Sequence, residues 1–350
     1  MDSRRLTNYL KGFAIIFVMA DHFTGQFLTR DYGWINGYAN GFIAIFFLFS
    51  GYGLHFSFRK RFRQGLTLGA LGRYFLDRAV RIYPLYWLSL LIAPYVFHYG
   101  DFSILHETGG FLIYLGLPFL GAPWLYWFMT ARFQCYLLAP LFYLVLRRLP
   151  LWLSLAGGAL LLLTATPLSL IIPRTQVDPL EYRYFLGAHL ILFALGMTLP
   201  AVVSKYGRKV NNAMLAGSLA AFFASVYFTR TESDIFIQSH VVLIPLMVWS
   251  AFALGVTWLA IGPALPLQGV FGALGEHTYS LYLFHIPFYV LLADIGLLKN
   301  NQLRSVEVIA ALLPLFVFLC IRFERLFTGL TMSLTWQLRR FIPVAEGSSG

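Results

Sequence analysis

The sequence predicts an all-α, polytopic membrane bundle of about ten transmembrane helices with both termini cytoplasmic. Three observations predict it. First, of the 350 residues 59% are hydrophobic and only 12% charged, against about 25% charged in a typical soluble domain. Second, the mean hydropathy of +0.70 is carried by apolar stretches near the ~20-residue length of a bilayer crossing. Third, lysine and arginine gather in alternate connections. A soluble enzyme could not hide this much apolar surface. A disordered chain would be polar and poor in aromatics. A disulfide or cysteine-rich metal protein is excluded as well, because Cys135 and Cys320 are the only cysteines and both lie in apolar stretches.

The spans run, in order, over 9–28, 36–56, 82–99, 124–146, 150–172, 185–204, 212–229, 237–261, 271–297 and 306–325. The first is preceded by Arg4 and Arg5. It carries Lys11, Asp21 and His22 and lacks a small-residue cleavage site, so it is not a signal peptide. The second ends at the basic loop 57–81, which leads into the third. Arg147 and Arg148 separate the fourth from the fifth. Lys205, Arg208 and Lys209 separate the sixth from the seventh, and Arg322, Arg325, Arg339 and Arg340 close the last. With the N-terminus inside, 18 of the 26 basic residues fall on the cytoplasmic side and 6 outside, which sets the orientation. The net charge of +11 is therefore a topology signal and not a nucleic-acid surface. Residues 1–341 read as one transmembrane domain, and 342–350 as a disordered tail ending Gly347-Ser348-Ser349-Gly350.

Ionisable residues inside a bilayer are costly and mark functional positions. Lys11 and His22 are eleven residues apart, about three helical turns. They share one face of the first span roughly 16 Å apart along its axis. Each also has a plain reading, Lys11 as a snorkelling rim lysine and His22 as a hydrogen-bonded core histidine. Arg78 and Arg81 are one turn apart at the head of the third span, where two guanidinium groups can hold phosphates. Alternatively Asp77 neutralises Arg73 and Arg81 at i,i+4, and the loop merely attracts anionic lipid. The stretch Gly275-Glu276-His277-Thr278-Tyr279-Ser280-Leu281-Tyr282-Leu283-Phe284-His285 opens the ninth span, with Tyr282 and His285 on one face. Polar residues that glue helices together would explain it equally. In the fourth span Trp124 and Trp127 suit an interfacial belt. Arg132 and Gln134 lie deeper and require partners in the bundle; for Arg132, Glu276 or Asp21 would serve. No metal-ligand spacing, Gly-rich phosphate loop or serine nucleophile elbow is present in the sequence.

From about residue 5 to 325 the chain resembles the membrane-bound acyltransferase 3 family, which O-acylates extracytoplasmic sugars. Five motifs in order carry the resemblance. They are a basic residue, ten residues and a histidine (Lys11, His22); Ser50-Gly51-Tyr52; Arg78 through Pro84 with Trp87; Trp127, Phe128, Gln134 and Tyr136; and Gly275 through His285. One departure stands out. Many members place a glutamate two residues before the glutamine, where this chain has Arg132; Glu276 is the acid expected in its stead.

The resemblance implies an acyl-CoA-dependent O-acyltransferase of the plasma (bacterial inner) membrane. The donor is cytoplasmic acyl-CoA, acetyl-CoA by default, with no metal; the acceptor is a glycan or lipid-linked sugar. It makes His22, Lys11 and His285 the catalytic candidates, and Arg78, Arg81, Lys11, Ser50 and Tyr83 the residues that hold the donor. Trp127, Gln134, Tyr136, Glu276 and Tyr282 are expected to bind acceptor. His22 suits a general base, since histidine titrates near neutral pH, although an acyl-His22 intermediate is equally open. The competing reading is a transporter or flippase of a lipid-linked glycan. It shares the buried charges but calls for inverted repeats and broken helices in matching halves.

Overall fold

A computed structural model describes residues 2–27, 33–63, 65–96, 127–171, 179–231, 243–298 and 302–339. All regular structure among them is helical: α1 (Ser3–Phe27), α2 (Gly33–Arg61), α3 (Leu68–Val96), α4 (Trp127–Leu146), α5 (Leu151–Ile171), α6 (Pro179–Tyr206), α7 (Asn212–Thr231), α8 (Ile244–Ile261), α9 (Gln268–Glu276), α10 (Thr278–Asp294) and α11 (Gln302–Arg339), with a 3₁₀ turn at Gly207–Lys209. Local chemistry fixes several ends. Asp2, Thr67 and Asn211 each accept a backbone N–H of the following first turn, from Arg4, Ala70 and Met214. Gly262 ends α8 in the left-handed conformation, its N–H on Trp258 O. Pro140, Pro200, Pro287 and Pro314 lie within helices, which neighbouring helices make tolerable in a membrane.

Among the described residues six helices are long and apolar enough to cross a membrane: Gly41–Arg61, Phe128–Leu146, His189–Lys209, Asn212–Thr229, Ile244–Ile261 and Leu303–Ser333. These match six of the predicted spans. Of the other four, the fifth span is described as an apolar helix over Leu151–Leu163. The first is diluted by Lys11, Asp21, His22 and Gln26. The ninth is not one helix, because the chain breaks at His277 (φ −111°, ψ 19°) into α9 and α10. The basic loop predicted over 57–81 is also shorter than expected, since α2 continues to Arg61 and α3 begins at Leu68.

The chain forms two interleaved compact units. One comprises the described residues of Met1–His55 and Ile104–Glu276, the other those of Phe56–Ser103 and His277–Gly350. In the first unit α1 packs along α9, and glycines make the close approach possible. A Cβ on Gly12 would overlap Phe271 O, and one on Gly275 would overlap Asn8 O. A similar crossing joins α2 to α6, where Gly51 meets the Phe193 carbonyl and Gly196 that of Leu48. α7 and α8 are joined by two hydroxyl pairs, Ser218–Thr257 and Ser225–Ser250, both 2.8 Å. In the second unit the end of α2 lies on the start of α3. Phe58 and Phe62 stack beside Tyr74, all three fully buried, and Arg61 pairs with Asp77 at 2.5 Å. α3, α10 and α11 pack pairwise.

Candidate functional site

α1 is one uninterrupted helix, so Lys11 and His22 do share a face about 16 Å apart. Both are half-buried. The N-terminal half of α1 is firmly held. Asn8 Nδ2 donates to Glu276 Oε1 at 3.2 Å, and Arg4 lies 3.7 Å from the same oxygen. Tyr9 stacks on Trp258 at 5.8 Å, and Phe17 on Phe42 at 4.4 Å. Glu276 thus engages α1, whereas the sequence offered it as a partner for Arg132. Gly275 of α9 packs on the first turns of α1 at Asn8, and that contact brings the neighbouring Glu276 there. Arg132 Nε instead donates to Tyr136 OH at 2.8 Å, one turn on in α4.

Gln134 and Tyr136 are both buried in α4. Gln134 Oε1 is shielded from solvent and has no hydrogen-bond partner among the described residues. A buried amide oxygen without a donor is costly. Trp127 is the first residue of α4; Trp124 lies outside the described residues. Ser50, in α2, directs its hydroxyl to Phe46 O of its own helix at 2.6 Å. The sequence reading missed His189, in α6. It is 1% exposed with its ring 4.5 Å from that of Phe47. The signal was available: a histidine inside the predicted span 185–204.

The second unit holds Arg78, Arg81, Tyr83, Tyr282 and His285. Arg78 is half-buried with its guanidinium 5.8 Å from the centre of the Tyr74 ring, and Arg81 is exposed. Asp77, expected to neutralise Arg73 and Arg81 along the helix, reaches across to Arg61. Tyr83 is half-buried beside Trp87. His285 is completely buried, between the rings of Tyr282 at 5.7 Å and Tyr289 at 5.9 Å. Its Nδ1–H donates to Tyr282 O at 2.7 Å. A carbonyl only accepts, so Nδ1 carries the proton and Nε2 is the basic nitrogen of the neutral ring.

Lys11, His22, Ser50, Trp127, Gln134, Tyr136 and Glu276 belong to the first unit. Among the described residues no group of three His, Cys, Asp or Glu side chains is arranged to hold a metal. A family model for the acyltransferase 3 domain matches residues 7–324. No curated protein and no solved structure matches the chain.

Proposed function

The chain belongs to the acyltransferase 3 family, and on that premise we propose that it moves an acyl group, acetyl by default, from cytoplasmic acyl-CoA to a hydroxyl of an extracytoplasmic sugar or polysaccharide. The observation that carries this reading is α1 itself. It is a single helix bearing a cation and a histidine on one face, about 16 Å apart, a spacing that an extended pantetheine arm can cover.

In this reading His22 takes the proton from the acceptor hydroxyl as its oxygen attacks the thioester carbonyl. The new C–O bond forms, the C–S bond breaks, and the CoA thiolate leaves and recovers a proton. A sugar hydroxyl is a poor nucleophile at neutral pH, and a neutral imidazole within reach can take its proton as the new bond forms. Lys11 stabilises the developing oxyanion. Arg78 and Arg81 grip the CoA phosphates, with Ser50 and Tyr83 assisting along the donor. The unsatisfied Gln134 Oε1 accepts an acceptor hydroxyl, and Trp127, Tyr136, Glu276 and Tyr282 complete the acceptor side. His285 orients the acceptor or serves as a second proton carrier. The enzyme acts as a multi-pass protein of the bacterial inner membrane with both termini inside, the orientation favoured by 18 of 26 basic residues.

The test is transfer of radiolabel from acetyl-CoA to the membrane glycan fraction. His22→Ala is expected to lose about 10²–10⁴-fold in rate while its melting temperature stays at the wild-type value. Near-wild-type transfer in the mutant removes His22 as the base.

A further inference from the structure

Glu324, in α11, has no role in the mechanism above. Its side chain is only 13% exposed, and one carboxylate oxygen, Oε2, collects two donors. The fully buried Ser280 hydroxyl donates at 2.7 Å and His277 Nδ1 lies at 3.2 Å. A carboxylate only accepts, so His277 carries its proton on Nδ1. Both donors belong to the start of α10, where His277 is the N-cap and Ser280 lies in the first turn. A negative charge is also favoured beside a helix N-terminus.

Tyr279 sits in the same turn. Its hydroxyl donates to Ile82 O of α3 at 2.6 Å. Adjacent residues on a helix point about 100° apart, so the first turn of α10 holds α11 through Ser280 and α3 through Tyr279. Ile82 is buried and directly follows Arg81. Packing alone does not require a carboxylate here, since α10 and α11 already stack Phe288 on Phe316 at 4.5 Å.

We infer that Glu324 is a positioning residue for the arginine stretch of α3. It fixes the first turn of α10, and through Tyr279 that turn fixes the backbone beside Arg81. The inference rests on the reading of Arg78 and Arg81 as phosphate ligands of acyl-CoA. Bidentate contact with phosphate depends on where each guanidinium is held, and a loosened α3 would blur both.

The experiment compares wild type, Glu324→Ala, Glu324→Gln and Tyr279→Phe in the full-length protein. It reads hydrogen exchange over residues 78–87 and the KM for acetyl-CoA. Glu324→Ala is expected to raise both about tenfold, with the acceptor KM and kcat within about twofold. Glu324→Gln keeps an oxygen for Ser280 and should stay within about threefold of wild type. Adding Glu324→Ala to Tyr279→Phe should have no further effect, because both act through one hydroxyl. Unchanged exchange over 78–87 in Glu324→Ala overturns the inference. So does an unchanged donor KM with kcat falling in step with the folded fraction, or additive effects of the two mutations. If wild type itself uses no acyl-CoA while Glu324→Ala still loosens 78–87, the donor reading fails and the anchoring stands. Should Glu324→Ala not fold, Tyr279→Phe carries the test, and unchanged exchange over 78–87 in it overturns the inference.

Discussion

Gly275→Ala is a one-carbon change that should lower activity as well as stability. A Cβ at Gly275 would overlap Asn8 O and lie 2.5 Å from Asn8 C and 2.8 Å from Asn8 Cα. Carbon atoms rest about 3.5–4.0 Å apart, so α1 and α9 must separate by about 1 Å. Neither helix can yield at a side-chain tip, because the obstruction is backbone. Overpacking of this kind costs about 1–3 kcal/mol in stability. The helix displaced, however, carries Lys11 and His22, and an offset of about 1 Å can lower a rate about 10²-fold. Gly12→Ala attacks the same crossing from the other side. Its Cβ would meet Phe271 C at 2.8 Å and Gly275 N at 2.9 Å. Transfer and thermal unfolding should be measured on one preparation in lipid nanodiscs. A Gly275→Ala protein with wild-type transfer and wild-type melting would refute the reasoning, since it would mean that α1 is not held by this contact.

Other outcomes follow from the same structure. Arg78→Ala combined with Arg81→Ala should weaken CoA binding about tenfold or more while the acceptor KM stays within about twofold. Equal losses for donor and acceptor would return the pair to a topological role. In a double-mutant cycle, Ser225→Ala and Ser250→Ala should couple by about 0.6 kcal/mol, typical of hydroxyl pairs between membrane helices. Strictly additive unfolding data would show that the 2.8 Å contact contributes no pairwise stability.

Much of the architecture was legible because hydropathy and charge act over whole helices. The all-helical class and the six strongest crossings follow from them, whereas the family followed from five motifs standing in order. The shared face of Lys11 and His22 was legible too, since it needs only an unbroken helix. The break at His277 was not. It rests on the backbone angles of one residue, which carry no compositional mark. The helical ends of 57–81 were hidden for the opposite reason. Hydropathy sees charged residues as loop, yet Arg59 to Arg61 and Arg73 to Arg81 are good helix formers. The partners of Glu276 and Asp77 were illegible because both reach across to another helix. Asn8 lies 268 residues from Glu276, and Arg61 lies 16 from Asp77. Glu324 escaped notice because it stands among arginines at the edge of a span, where an acid looks like ordinary rim chemistry.

The hydroxyl pairs of α7 and α8 have a consequence for assembly. Much of the α7 crossing is exposed, and the face it does bury carries Phe222 and Val226 together with Ser218 and Ser225. Ser218 and Ser225 are one heptad apart, as are Ser250 and Thr257 on the facing helix. Two contacts at that spacing act as a vernier. Sliding α7 by one turn, or rotating it by one residue, separates both pairs at once and leaves each hydroxyl only a carbonyl of its own helix. The hairpin therefore has one register from the moment its two helices meet, before the rest of the unit closes around it.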